Sequence, residues 1–203
     1  MTIQGSPNAA RLSEMGLGTF FRPCDAEAAG IGYQELRRLE HLGLVEREGW
    51  GLYRQTRADI TSHHTIAAVC ARARQAVVSL LTALEVYDIG TQKPHQVWIA
   101  IPHKSRVPAL GELPVRITRF SAASLTYGVV DTEFDGVPAK ITTPARTVVD
   151  CFRFRSKVGL EPALEALHEV LDEGKATPNE IRRAAEACRA RSLLIPALRM
   201  RSR

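Results

Sequence analysis

Apolar positions along this chain recur at two spacings, and the switches between them sketch its elements. Residues 10–21 carry a helical pattern that Gly16 and Gly18 weaken in its second half. Arg22-Pro23-Cys24-Asp25-Ala26-Glu27-Ala28-Ala29 reads as a short helix with proline in its first turn, stopped by Gly30-Ile31-Gly32. A further helix is predicted from about Tyr33 to Leu42, ending at Gly43. From Leu44 to Arg54 both flanks alternate around Glu48-Gly49 and Gly51, which predicts a hairpin. Helix, tight turn, helix and hairpin is the order of a winged helix-turn-helix.

The rest of the chain mixes both periods. His64 to Gln75 reads as a helix, Ala76 to Ser79 as a buried strand, and the run to Tyr87 as a short helix. Strands are predicted at Gln96–Ile101 and Val115–Phe120. Tyr127–Phe134 and Val137–Thr142, joined by Asp135-Gly136, make the clearest hairpin. Pro144 opens a helix to about Phe154. Leu160, Leu164, Leu167, Val170 and Leu171 share one helical face. Thr177-Pro178-Asn179-Glu180 is a capping-box start, and a last helix begins near Ser192 with a break at Pro196. The expected fold is therefore α+β. A winged helix-turn-helix over residues 1–58 precedes a mixed α+β domain over residues 59–203, with a small sheet and C-terminal helices.

Charge refines this picture by its distribution. The 203 residues carry a net charge of +5, which favours an acidic partner such as nucleic acid. Met1–Ala58 holds seven basic and seven acidic residues, so a DNA-reading surface there requires segregation of charge onto one face. The opening residues lack the pattern of a signal peptide, and no apolar run approaches membrane-spanning length; both favour a cytoplasmic protein without membrane contact. Cys24, Cys70, Cys151 and Cys188 have no paired spacing, so reduced, mostly buried thiols are expected, with no metal or cofactor.

The helix at 33–43 carries the candidate chemistry. On an ideal wheel Leu36, Leu39 and Leu42 cover one side, while Gln34, Arg37, Arg38 and His41 cluster on the other. Arginine can pair twice with guanine in the major groove, and glutamine with adenine. Tyr33 is placed to touch a phosphate or a thymine methyl. In the hairpin, Arg47 and Arg54 are candidate phosphate contacts, and Trp50 is a candidate for packing on sugar. Glu35 falls inside the apolar arc, and Glu40, Glu46 and Glu48 would repel phosphate if they faced it.

Other clusters suggest different chemistry. Asp131, Glu133 and Asp135 alternate along one strand, with Lys140 on the return, the raw material of a metal-dependent nuclease. The ordinary reading is a solvated hairpin face. Adjacent His63 and His64 point apart on a helix and suit solvated or capping roles. Arg146 and Asp150, four apart, suit a surface ion pair or a tether between elements. Five arginines and no acid from Arg189 to Arg203 suit a phosphate-tracking arm or a solvated end.

Gly32-Tyr33-Gln34-Glu35-Leu36-Arg37-Arg38-Leu39, followed by Leu44–Arg47 and Gly51–Arg54, resembles the N-terminal domain of AbiEi-type antitoxins. Val77–Leu84, Val97–Pro102 and Ile141–Asp150 resemble successive segments of the same family. The resemblance spans nearly the whole chain and rests on the order of its motifs. It implies a non-enzymatic transcriptional repressor of a type IV toxin–antitoxin operon, bound to inverted repeats in double-stranded DNA. It also implies opposition to a nucleotidyltransferase-type toxin through the second domain, without a stable complex. Inverted repeats imply a monomer binding sequentially or a DNA-induced dimer.

Overall fold

The computed structural model describes residues 16–49, 51–56 and 61–194. The chain folds as two compact units. The first comprises residues 1–74 with 108–113 and 132–139; the second comprises 75–107, 114–131 and 140–203. The join expected between residues 58 and 59 falls outside the described residues.

The first unit contains β1 (Phe20–Phe21), α1 (Pro23–Ala28), α2 (Tyr33–His41), β2 (Val45–Arg47), β3 (Tyr53–Gln55) and α3 (His64–Arg72). The strands form a three-stranded sheet in the order β1-β3-β2, antiparallel throughout. The helix expected over residues 10–21 is corrected in its described part. Gly16 to Thr19 is not helical, and Phe20–Phe21 is a strand with Phe21 opposite Tyr53. Two glycines weaken the helix locally, while the strand buries both phenylalanines, so tertiary packing prevails over a marginal periodicity. The core of this unit gathers Leu17, Phe21, Ala26, Ile31, Leu36, Leu39, Val45 and Tyr53.

Close approach of backbone explains Gly18. A Cβ placed there would lie 2.4 Å from the carbonyl oxygen of Gly136, and Thr19 N–H donates to the Asp135 carbonyl at 2.8 Å. The Asp135-Gly136 turn takes positive φ at both residues (49° and 73°), the geometry of a two-residue hairpin loop. Gly18→Ala is expected to cost about 1–3 kcal/mol through overpacking against backbone. Amide exchange at Thr19 reads the effect directly; unchanged protection there would refute it.

The second unit contains β4 (Val77–Val78), α4 (Leu80–Val86), β5 (Val97–Pro102) and β6 (Val115–Phe120). After a 3₁₀ turn at Ala122–Leu125 it continues with α5 (Pro144–Arg153), α6 (Arg155–Val158), α7 (Leu160–Asp172) and α8 (Pro178–Ala187). Two further strands, β7 (Val129–Phe134) and β8 (Val137–Thr142), complete a five-stranded sheet in the order β6-β5-β4-β8-β7. β4 runs antiparallel to β5 and parallel to β8, and β5 runs parallel to β6. The sheet is thus mixed, in keeping with an α+β unit.

Helix α5 organises this unit. Every residue from Ala145 to Phe152 is buried, because α4, α7 and α8 all pack against it. Its neighbours supply Leu80, Leu84, Leu167, Val170 and Ile181 to one continuous core. α8 opens with the capping box expected from Thr177 and Glu180. Thr177 N and Oγ1 donate to Glu180 Oε2 at 2.7 and 2.8 Å, and Glu180 N returns a bond to Thr177 Oγ1 at 3.2 Å. Those bonds hold the Glu180 carboxyl below its usual range. A helical turn begins at Arg191, while Pro196, Arg199, Arg201 and Arg203 lie outside the described residues.

Candidate nucleic-acid interface

Helix α2 is amphipathic in the sense the sequence requires, with a narrower seam. Leu36 and Leu39 are buried at 1% and 7% exposure, but Leu42 is 54% exposed. The three-leucine seam is therefore a two-leucine seam. Leu42 is already the helix cap, and the chain turns there before the wheel returns it to the core. Isolated exposed leucines are ordinary on protein surfaces.

The opposite side is polar and open. Tyr33, Gln34, Arg37, Arg38 and His41 are all exposed. Arg37 Nη1 donates to Tyr33 Oη at 3.4 Å, which raises the guanidinium further above its usual pKa and keeps it charged. Arg38 Nη1 lies 3.3 Å from Glu35 Oε1, an exposed i,i+3 pair. Glu35 is thus at the surface beside an arginine and not in the apolar arc, because the whole first turn of α2, Tyr33 to Glu35, stands exposed. An exposed pair of this kind is worth about 0–1 kcal/mol, so Arg38 is readily released to a stronger anion.

On the β2–β3 ribbon the candidates separate. Arg47 is exposed, with no acidic partner among the described residues. Arg54 is different: its Nε donates to Glu48 at 2.7 Å and its Nη2 to Glu46 at 2.5 Å. β2 and β3 pair Glu46 directly opposite Arg54, so the guanidinium is occupied by two carboxylates. The same pairing partly cancels the two acids that would repel phosphate. Trp50 lies outside the described residues.

One supporting residue left no signature in the sequence. Arg72, at the end of α3, donates to the carbonyls of Glu48 at 2.9 Å and Leu110 at 2.7 Å. Its own carbonyl accepts from Arg22. It fixes the ribbon turn through backbone oxygens, and no sequence spacing announces a bond across 24 residues. His63 and His64 are half-buried at the start of α3. His63 is the N-cap residue of α3 but its side chain makes no capping hydrogen bond; the His63 and His64 rings pack against Phe134 and Phe20, with centroids 5.5 and 4.7 Å apart.

The acidic hairpin does not assemble. Asp131 and Glu133 are exposed on β7, and Lys140 is exposed on β8. Asp135 leaves the strand for the left-handed turn, so the alternation ends at Phe134, and Thr61 Oγ1 donates to its carboxylate at 2.6 Å. No three acidic, histidine or cysteine side chains converge as metal ligands among the described residues.

In the second unit the most constrained polar group is Arg146. It is fully buried; Nε donates to Asp150 at 2.8 Å, and Nη1 and Nη2 donate to the carbonyls of Tyr127 and Ser124, each at 2.6 Å. Arg153 also donates to Asp150, at 2.8 Å. Of the two readings of Arg146 and Asp150, the tether between elements is the one realised. Cys70, Cys151 and Cys188 are buried and Cys24 is exposed; burial pushes the Cys70 thiol up to about 12. Buried thiols held protonated are poor nucleophiles.

The crystal structure of the RV2827C protein from Mycobacterium tuberculosis matches 94% of this chain and 75% of its own, with a TM-score of 0.55 and 15% identity. That likeness defines the class at the level of fold: a mixed α+β protein of helices and small sheets. Residues 76–196 match the family model of the AbiEi antitoxin C-terminal domain, and the chain belongs to that family. Membership supports an antitoxin role in a type IV toxin–antitoxin system. No curated protein matches the chain. Among the described residues no helix is long and apolar enough to cross a membrane.

Proposed function

We propose that the first unit is a winged helix-turn-helix domain, with its core set within residues 1–58, and that the chain is a non-enzymatic DNA-binding repressor as well as an antitoxin. α1 and α2 form the helix-turn-helix, and the β2–β3 ribbon is the wing. The observation that carries this reading is the face of α2. Tyr33, Gln34, Arg37, Arg38 and His41 stand exposed on a helix anchored by Leu36 and Leu39. In this reading Gln34, Arg37 and Arg38 address base edges, and Tyr33, His41 and Arg47 contact the backbone. Arg54 is proposed as a further phosphate contact, with its pairing to Glu46 and Glu48 offsetting those two acids.

The operator is proposed to be an inverted repeat upstream of the chain's own gene, bound by monomers in sequence or as a DNA-induced dimer. The second unit is proposed to oppose a nucleotidyltransferase-type toxin without forming a stable complex with it; family membership supports the antitoxin role. The site of action is the cytoplasm.

Gel shifts with the upstream DNA test the reading. Arg37→Ala is expected to cost about 1–3 kcal/mol on the preferred site and to relax its specificity. Arg47→Ala is expected to weaken all sequences alike and to lower the salt slope by about one. Absence of any shift at low salt removes the repressor reading and leaves the family assignment standing.

A further inference from the structure

We infer that the second unit carries a binding cleft for an organic phosphate of nucleotide size. An open cleft of about 690 Å³ lies beside α5 and β6, lined by His103, Arg119, Ser121, Arg153, Phe154 and Lys157. Its volume falls within the range of small-molecule sites and far exceeds what inorganic phosphate fills. Val107 and Ile117 add an apolar wall.

The charge of this cleft is one-sided. Three of its lining residues carry permanent cations and none is a carboxylate. Among the described residues Asp150 is the one acid bonded to a lining cation, and it is shared between Arg153 and the buried Arg146. With two guanidiniums on one carboxylate, Asp150 does not fully offset the charge of Arg153. Lys157 has no acidic partner among the described residues; its Nζ lies 5.8 Å from the centre of the Phe154 ring.

Two of the three cations are also held in place, Arg153 by Asp150 and Arg119 by backbone oxygens. Arg119 Nη1 donates to the carbonyls of Pro102, His103 and Ser105 at 3.2, 2.6 and 3.0 Å. Carbonyls orient a guanidinium without cancelling its charge, which leaves its other N–H groups for an anion. Phe154 is fixed by near-parallel stacking on Phe120, at 5.3 Å and 5°. Rigid donors beside aromatic and aliphatic surface suit a ligand with a polyphosphate end and a flat, less polar end. A nucleoside polyphosphate has that chemistry. The helix α2 surface is not involved, so this inference stands apart from the repressor reading.

Titration of the full chain with a fluorescent N-methylanthraniloyl ATP tests the inference. Saturable binding is expected, displaced by unlabelled ATP, more weakly by pyrophosphate, and not by adenosine. Lys157→Glu, an exposed change, is expected to weaken binding by about tenfold or more because it reverses a charge facing the phosphates. Its unfolding midpoint should match the parent, and Arg37→Ala should bind ATP unchanged. Three results overturn the inference: no saturable binding up to about 1 mM, binding indifferent to Lys157→Glu, or displacement by inorganic phosphate as effective as by ATP. A DNA shift weakened by Lys157→Glu without any ATP binding would assign the cleft to a nucleic-acid backbone instead.

Discussion

Arg146→Ala is expected to destabilise the second unit by about 3–5 kcal/mol, the scale for breaking a buried ion pair from one side. Arg146 is wholly inaccessible and satisfies three acceptors on three segments: Asp150 on its own helix, Tyr127 before β7, and Ser124 in the 3₁₀ turn. Its guanidinium also lies 5.5 Å from the centre of the Phe120 ring. Truncation leaves two carbonyls without this donor and Asp150 with Arg153 alone. Urea unfolding followed by the buried Trp98, in a background carrying Trp50→Phe, reads this unit. A loss below about 1 kcal/mol would show that the surroundings resupply the bonds at little cost.

The pH dependence of that variant has a defined sign. Burial pushes the Asp150 carboxyl above its usual value of 3.8, while Arg146 and Arg153 pull it down. Removing Arg146 deletes the larger pull, so the folded-state pKa rises further. A carboxyl with a raised folded pKa binds its proton more tightly folded than unfolded. Its contribution is therefore fully present below the unfolded value and is lost as pH rises through the folded one. The deficit of Arg146→Ala is expected to shrink as pH falls toward the ordinary carboxyl range. Arg146→Lys should recover little, because one ammonium on a flexible stem cannot reproduce a planar fork that reaches three acceptors.

The second large effect is expected at Leu36. Leu36→Ala should cost the first unit about 2–5 kcal/mol, as for other fully buried leucines, and should abolish the DNA shift with it. Leu42→Ala should change stability by no more than about 0.5 kcal/mol and leave the shift intact. The pair separates anchoring from recognition. Leu36 touches no proposed base contact; it holds α2 against Phe21, Ile31 and Val45 so that the opposite face stays outward. Equal losses from the two leucines would restore the wider seam that the wheel predicts and contradict the exposure of Leu42.

Much of the architecture was legible where a local signal and the tertiary fold agreed. Pro23 and Pro144 mark the starts of α1 and α5, Thr177 and Glu180 cap α8, and Asp135-Gly136 turns a hairpin. Each acts within a few residues, through a fixed φ, a reciprocal side-chain bond or a tolerated positive φ. Legibility failed where a distant segment decided the outcome. Phe20–Phe21 became a strand because β3 was available to pair with it. Arg54 lost its freedom because strand register set it opposite Glu46, with Glu48 also in reach.

By itself the sequence determined the alternation of helices and strands, the polar side of α2 and the order of motifs that marks the family. Those properties rest on short-range periodicity and on residues that act on their own backbone. Only the tertiary structure decided which cations are free. Arg47 is exposed without an acidic partner among the described residues, Arg37 meets only the Tyr33 hydroxyl, Arg54 sits between two carboxylates, Arg72 is engaged by carbonyls, and Arg146 is sealed in a core. The physical reason is that an arginine's chemistry depends on which acceptors lie within a few ångströms, and chain folding draws those acceptors from positions the local sequence does not specify.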